Sequence, residues 1–142
     1  FYLSERATLA ARAAGLLAGR VETSIRYIDF KGDAASRTLP EPTNCPWRIF
    51  DMVAELLTAL HRRRTALRHV GVTLSKFSPA ASEARLFETP TDAKRRSLNG
   101  TLDAIRNRYG HSSIVAGESI SLLGQLKQND YGFVLRTPSL TK

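Results

Sequence analysis

The chain has 142 residues, 42% of them apolar, and 21 Lys and Arg against 13 Asp and Glu give it a formal charge of +8. That length suits one modest domain, or a small domain with an appendage. No run of about 18 apolar residues exists to cross a membrane. A single cysteine, Cys45, excludes an internal disulfide framework and suits a reducing compartment. The chain starts at Phe1 without Met and shows no secretory signal pattern, so it is expected to be a piece of something longer. The basic excess is spread along it: twelve basic and seven acidic residues in 1–80, nine and six in 81–142. Such a balance favours a polyanionic partner.

Residues 4–18 read as a helix rich in Ala and Leu, with Ser4 as cap and Gly19 as stop. Residues 21–30, VETSIRYIDF, read as a strand. Val21, Thr23, Ile25 and Tyr27 point one way, and Glu22, Ser24 and Arg26 the other. A turn at Lys31–Asp33 leads to a short second strand at 35–39, paired with the first as a hairpin and stopped by Pro40 and Pro42. Asn44 caps the next helix, which places Ile49, Val53, Leu56, Leu57 and Leu60 on one stripe. Arg62, Arg63 and Arg64 come next, at its C-terminal end, where cations oppose the helix dipole or meet phosphate. Residues 68–79, RHVGVTLSKFSP, supply a third strand.

This order predicts an α+β, split βαβ two-layer sandwich. Two helices cover one face of an antiparallel or mixed four-stranded sheet. Its first strand is truncated, with Phe1, Tyr2 and Leu3 as its last residues. The open face is expected to carry Glu22, Ser24, Arg26, Arg37, Thr73 and Ser75. A body at 1–79 is followed by a linker at 80–93 and an extension at 94–142. The extension holds a helix over 94–109, with Leu98, Leu102, Ile105 and Tyr109 on one stripe, and a short strand at 132–138.

Catalytic chemistry finds little support. Asp29, Asp33, Asp51, Asp92, Asp103 and Asp130 are scattered, without the convergence that divalent metals need. His61, His69 and His111 sit in no metal-ligand frame, Cys45 has no local base, and Ser112 and Ser113 carry no activation signal. No glycine-rich phosphate loop is present. No catalytic residue, metal site or cofactor is therefore assigned to this segment.

Binding is better served. Arg37, flanked by Ser36 and Thr38, joins Arg26, Arg68 and Lys76 as groups suited to phosphate oxygens. Lys94, Arg95 and Arg96 form a second basic cluster at a helix start, answered by Glu88 and Asp92 or by an external anion. Leu86 and Phe87, two large apolar side chains in a polar linker, either anchor a partner or fold back onto the body.

IRYIDF at 25–30, SRTLP at 36–40 and RHVGVTLSKF at 68–77, with the helices between them, resemble the little-finger domain of Y-family DNA polymerases. The bacterial polymerase IV group is the particular likeness, over residues 1–79. The resemblance implies a four-stranded sheet with two helices on one face and duplex DNA on the other. Arg26, Ser36, Arg37, Thr38, Arg68, Thr73, Ser75 and Lys76 would then touch primer–template DNA. The intact protein would be a bacterial, cytoplasmic, nucleoid-associated translesion polymerase using Mg²⁺ and deoxynucleoside triphosphates. EARLF at 83–87 resembles a sliding-clamp-binding peptide of pattern Gln-Leu-x-Leu-Phe, matching only at Leu86 and Phe87. RRSLNGTLDAIRNRYG at 95–110 and GFVLRTPSL at 132–140 resemble extensions to which no role attaches. Two alternatives stand: a catalytically dead adaptor of the same family, and a small α/β module that binds protein or RNA.

Overall fold

The computed structural model describes residues 1–80 and 89–121. They fall into two compact units. One begins at Leu3 and contains the sheet; the other gathers Phe1–Tyr2 with the long third helix and the short turns beyond it. In chain order the elements are α1 (Tyr2–Ala13), β1 (Leu16–Tyr27), β2 (Gly32–Thr43), α2 (Pro46–Leu60), β3 (Leu67–Pro79) and α3 (Pro90–Tyr109).

α1 is shorter than its Ala and Leu content suggests. It stops at Ala13 because Gly15 takes φ 66° and its N–H donates to Arg12 O at 2.9 Å. A left-handed residue just past the helix closes its last carbonyls, and glycine adopts that conformation without a Cβ penalty. Leu16 and Leu17, expected to be helical, instead open β1. Tyr2 and Leu3 lie in α1, not in a truncated first strand.

The sheet has the order β2-β1-β3, with both outer strands antiparallel to β1. β2 and β3 are therefore parallel to each other across β1, with α2 as the crossover: a split βαβ unit in an α+β fold. Three strands, not four, make up this sheet among the described residues. The strand expected at 132–138 lies outside them.

β2 runs to Thr43, straight through Pro40 and Pro42, instead of ending at Leu39. Two circumstances permit this. β2 is an edge strand, and Leu39 to Pro42 lie in a register irregularity between the Arg20–Thr38 and Ala18–Thr43 pairs, where missing N–H donors break no ladder.

α2 starts at Pro46 with Cys45, not Asn44, in the capping position. Proline suits a first helical turn because its absent N–H has no partner there anyway. The Asn44 amide instead donates to Leu16 O at 3.3 Å, and the Thr43 hydroxyl accepts from Cys45 N–H at 3.2 Å. Arg12 of α1 donates to Asn44 O at 2.8 Å.

The stripe of α2 packs on the sheet. Ile49, Val53 and Leu56 enclose Val21 and Leu39, while Leu60 meets Ile25 and Tyr27. Each such side chain contributes about 1.5–3 kcal/mol by leaving water. The Tyr27 hydroxyl, buried among them, donates to Leu60 O at 3.4 Å.

In the second unit, α3 begins at Pro90, four residues before its expected start. Thr89 caps it: its hydroxyl accepts from Asp92 N–H at 3.2 Å and donates to the Asp92 carboxylate at 2.8 Å. Lys94, Arg95 and Arg96 thus lie a turn inside the helix, behind an acidic first turn. The helix ends at Gly110, as the sequence indicates. Its expected apolar stripe is not buried as a unit, since Leu98 and Tyr109 are exposed. Arg106, buried, donates to Ile114 O at 3.0 Å, and Tyr2 meets His111 edge-on at 5.3 Å.

Candidate nucleic-acid interface

The pleat of β1 sets the site. Val21, Thr23, Ile25 and Tyr27 are buried, so Arg20, Glu22, Ser24 and Arg26 occupy the other face. Residues directly opposite in an antiparallel pair share a face, so the register extends this one across the sheet. Four rows result: Thr38–Arg20–Ser75, Ser36–Glu22–Thr73, Ala34–Ser24–Gly71 and Gly32–Arg26–His69.

Two cations, one carboxylate and several hydroxyls therefore share one face. The Arg20 guanidinium donates to the Ser36 hydroxyl. At about 3.4 Å per residue, Arg20 and Arg26 lie roughly 20 Å apart along the strand, near six base-pair steps of duplex. Gly71 makes room in the third row for the Ser24 side chain, since a Cβ there would come within 2.6 Å of the Ser24 hydroxyl oxygen. Glu22, in the second row, opposes any anion laid across the middle.

Arg26, Thr73 and Ser75 are on this face, as expected, and so are Ser36 and Thr38. Arg37 is not. It pairs with Val21, which turns it to the helix side, and its guanidinium meets Glu55 of α2 at 2.6 Å. The expectation failed because three consecutive strand residues cannot share one face: Ser36 and Thr38 alternate with Arg37. Arg37 remains about half exposed at the sheet's edge.

Arg68 also leaves the pattern. β3 shifts register between its pairings with Arg26 and Tyr27, and Arg68 occupies the resulting bulge, its guanidinium 4.6 Å from the Phe30 ring centroid. Lys76 adopts φ 53° between the Ala18–Phe77 and Arg20–Ser75 pairs, so alternation does not fix its face. Leu86 and Phe87 lie outside the described residues.

Two residues of the face escape the sequence pattern. Arg20 is hidden because the visible alternation begins at Val21. His69, the partner of Arg26, stands out in the sequence only as a candidate metal ligand.

The Arg62–Arg64 run divides its work. Arg62 donates to Ala59 O at 2.8 Å and closes the end of α2. Arg63 bonds Asp29 at 2.7 Å and lies 4.7 Å from the Tyr27 ring centroid. The Arg63 hydrogen bond holds the Asp29 carboxyl below its usual range, and Asp29 in turn raises Arg63. Among the described residues no three His, Cys, Asp or Glu side chains converge on a point that could hold a metal ion, and no helix is long and apolar enough to cross a membrane.

Comparison with known proteins adds an independent observation. Residues 2–86 match the model of the impB/mucB/samB family C-terminal domain. A protein named DNA polymerase IV from Caulobacter vibrioides is 35% identical over 122 residues, covering 83% of this chain and 29% of that protein. Its namesake from Dehalococcoides mccartyi strain BAV1 is 33% identical over 122 residues, 85% of this chain and 31% of the relative. That from Desulfatibacillum aliphaticivorans is 34% identical over 116 residues, 80% and 29% respectively. The chain thus spans less than a third of the length of each of these relatives.

Proposed function

The chain belongs to the impB/mucB/samB C-terminal-domain family and is homologous to bacterial DNA polymerase IV, a Y-family enzyme; on that footing we propose that its uncovered sheet face grips the backbone of primer–template DNA. The observation that carries this reading is the ladder of four polar rows from Thr38–Arg20–Ser75 to Gly32–Arg26–His69. Arg20 and Arg26 hold phosphates at its two ends. Hydroxyls of Ser24, Ser36, Thr38, Thr73 and Ser75 supply further hydrogen bonds. Phosphate oxygens carry no base code, so this grip follows charge and shape, not sequence. Arg37, Arg68 and Lys76 act from the rim of the sheet.

In this reading residues 1–79 are the DNA-binding body, 80–93 a tether and 94–142 an extension. The parent protein copies damaged template in a bacterial cytoplasm, by nucleotidyl transfer from deoxynucleoside triphosphates with Mg²⁺. The described residues do not fit that metal, since no carboxylates converge, and no step of the transfer is assigned to them. Docking of Leu86 and Phe87 on the sliding clamp belongs to the same proposal. Replacing both with Ala abolishes clamp capture and leaves DNA affinity unchanged.

Salt titration of binding to primer–template DNA tests the grip. Arg20→Ala combined with Arg26→Ala weakens binding and flattens the dependence of log affinity on log salt by about two units, one for each released contact. Arg37→Ala changes both less than either single replacement does. A double variant that binds like the parent at every salt concentration refutes the proposal.

A further inference from the structure

The end of the sheet beyond Arg26 carries features outside the four rows of the uncovered face. β1 and β2 join through a tight turn in which Tyr27 N–H donates to Lys31 O at 2.8 Å and Phe30 N–H to Tyr27 O at 3.0 Å. At its tip Ile28 is 61% and Phe30 66% exposed. Phe30 holds φ 65°, a left-handed conformation that bulky side chains rarely take. A turn that served only to reverse the chain would relax with glycine there. The ring is kept at that position against backbone preference, and in solvent.

Cations surround it. Arg68 lies over the Phe30 ring. The connection between α2 and β3 runs alongside, tied by the Ile28 N–H bond to Ala66 O at 3.0 Å, and it brings Arg62, Arg63 and Arg64 to the same end. Of the nearby carboxylates, Asp29 is already bound to Arg63. An exposed ring with a guanidinium over one part of it, and further cations beside it, suits unpaired nucleotides: a base stacks on the π surface still open to solvent and phosphates meet the charges. An acidic peptide would meet the charges but has no use for a flat platform.

We propose that this tip holds unpaired nucleotides continuing from a duplex on the uncovered face. The inference rests on the duplex reading, since Arg26, Gly32 and His69 form the row next to the tip. Fluorescence anisotropy of the full 142-residue chain tests it with three labelled DNA probes: a blunt duplex, the same duplex with a single-stranded overhang, and the single strand alone. The overhang raises affinity about tenfold, the worth of stacking a base or so. Phe30→Gly, which removes the ring and suits the backbone, abolishes that gain and leaves blunt-duplex affinity unchanged. Arg68→Ala reduces the gain, and Phe30→Trp keeps it. A parent chain with no overhang preference, a Phe30→Gly variant that retains the preference, or capture of an acidic apolar peptide instead of the single strand overturns the proposal. Single-strand binding that depends on Phe30, with no blunt-duplex binding at any salt, supports the tip and rejects the duplex reading.

Discussion

Along β1, side chains one residue apart serve opposite surroundings. Val21, Ile25 and Tyr27 pack into the core with α2, while Arg20, Glu22, Ser24 and Arg26 face away from it. The covered face holds the fold, and the other face carries the polar rows of the proposed interface. Because the pleat separates them, replacements on one face should leave the other's property alone. That separation can be attacked from either side.

The largest effect belongs to the covered face. Ile49 is wholly buried against Val21 and Leu39. Ile49→Ala should cost about 2–5 kcal/mol in denaturant unfolding, through lost burial and the cavity left behind. Under conditions where the variant stays folded, its DNA affinity should match the parent's. Loss of affinity out of proportion to loss of folded protein would show that the two faces are coupled.

Glu22 tests the opposite face. Glu22→Gln removes the carboxylate from the second row of the ladder and should tighten DNA binding several-fold at low salt, about 1 kcal/mol, with the gain fading as salt screens it. Its unfolding free energy should move by less than about 0.5 kcal/mol, as for most surface replacements. Unaltered affinity would mean that phosphates do not cross the middle of this face.

Thr23 breaks the rule of its own side. Its hydroxyl is wholly buried without a hydrogen-bond partner among the described residues. Thr23→Val keeps the shape and removes the orphaned group, so unfolding should require about 1 kcal/mol more. A destabilised variant would reveal a partner for that hydroxyl.

The smallest effect concerns Asp29 and Arg63 at the end of the sheet. Arg63 lowers the Asp29 pKa below its ordinary value of 3.8. A depressed carboxyl contributes stability above its unfolded pKa and loses it as pH falls through the folded one. NMR titration should therefore place the Asp29 midpoint below 3.8 in the parent and nearer to that value in Arg63→Ala. Both side chains are solvated, so screening keeps the accompanying stability change slight.

How much of this was legible depended on where each strand finds its constraint. β1 is central and buried on one side, so its alternation appeared in the sequence and the structure kept it. α2 likewise announced its stripe through Ile49, Val53, Leu56 and Leu60. β2 is an edge strand with hydroxyls around its arginine, and neither face is dictated by apolar residues. Its register is imposed by β1 and by the irregularity at Leu39 to Pro42, which a local pattern does not encode. Arg37 was misplaced for that reason. Arg20 was hidden by an Ala–Leu run that suits a helix as well as a strand; only the left-handed Gly15 separates the two. Arg68 required knowledge of a bulge in β3, and the exposed ring of Phe30 required the turn geometry that closes before Gly32.

Pro40 and Pro42 have a further consequence for the molecule among its own copies. β2, an edge strand, lacks two of the N–H groups that an approaching extended chain would seek, and the same stretch, which includes Glu41, departs from regular pairing. An edge strand with unpaired backbone groups is open to edge-to-edge stacking. This stretch discourages such stacking on the β2 side without using any side chain of the bare face.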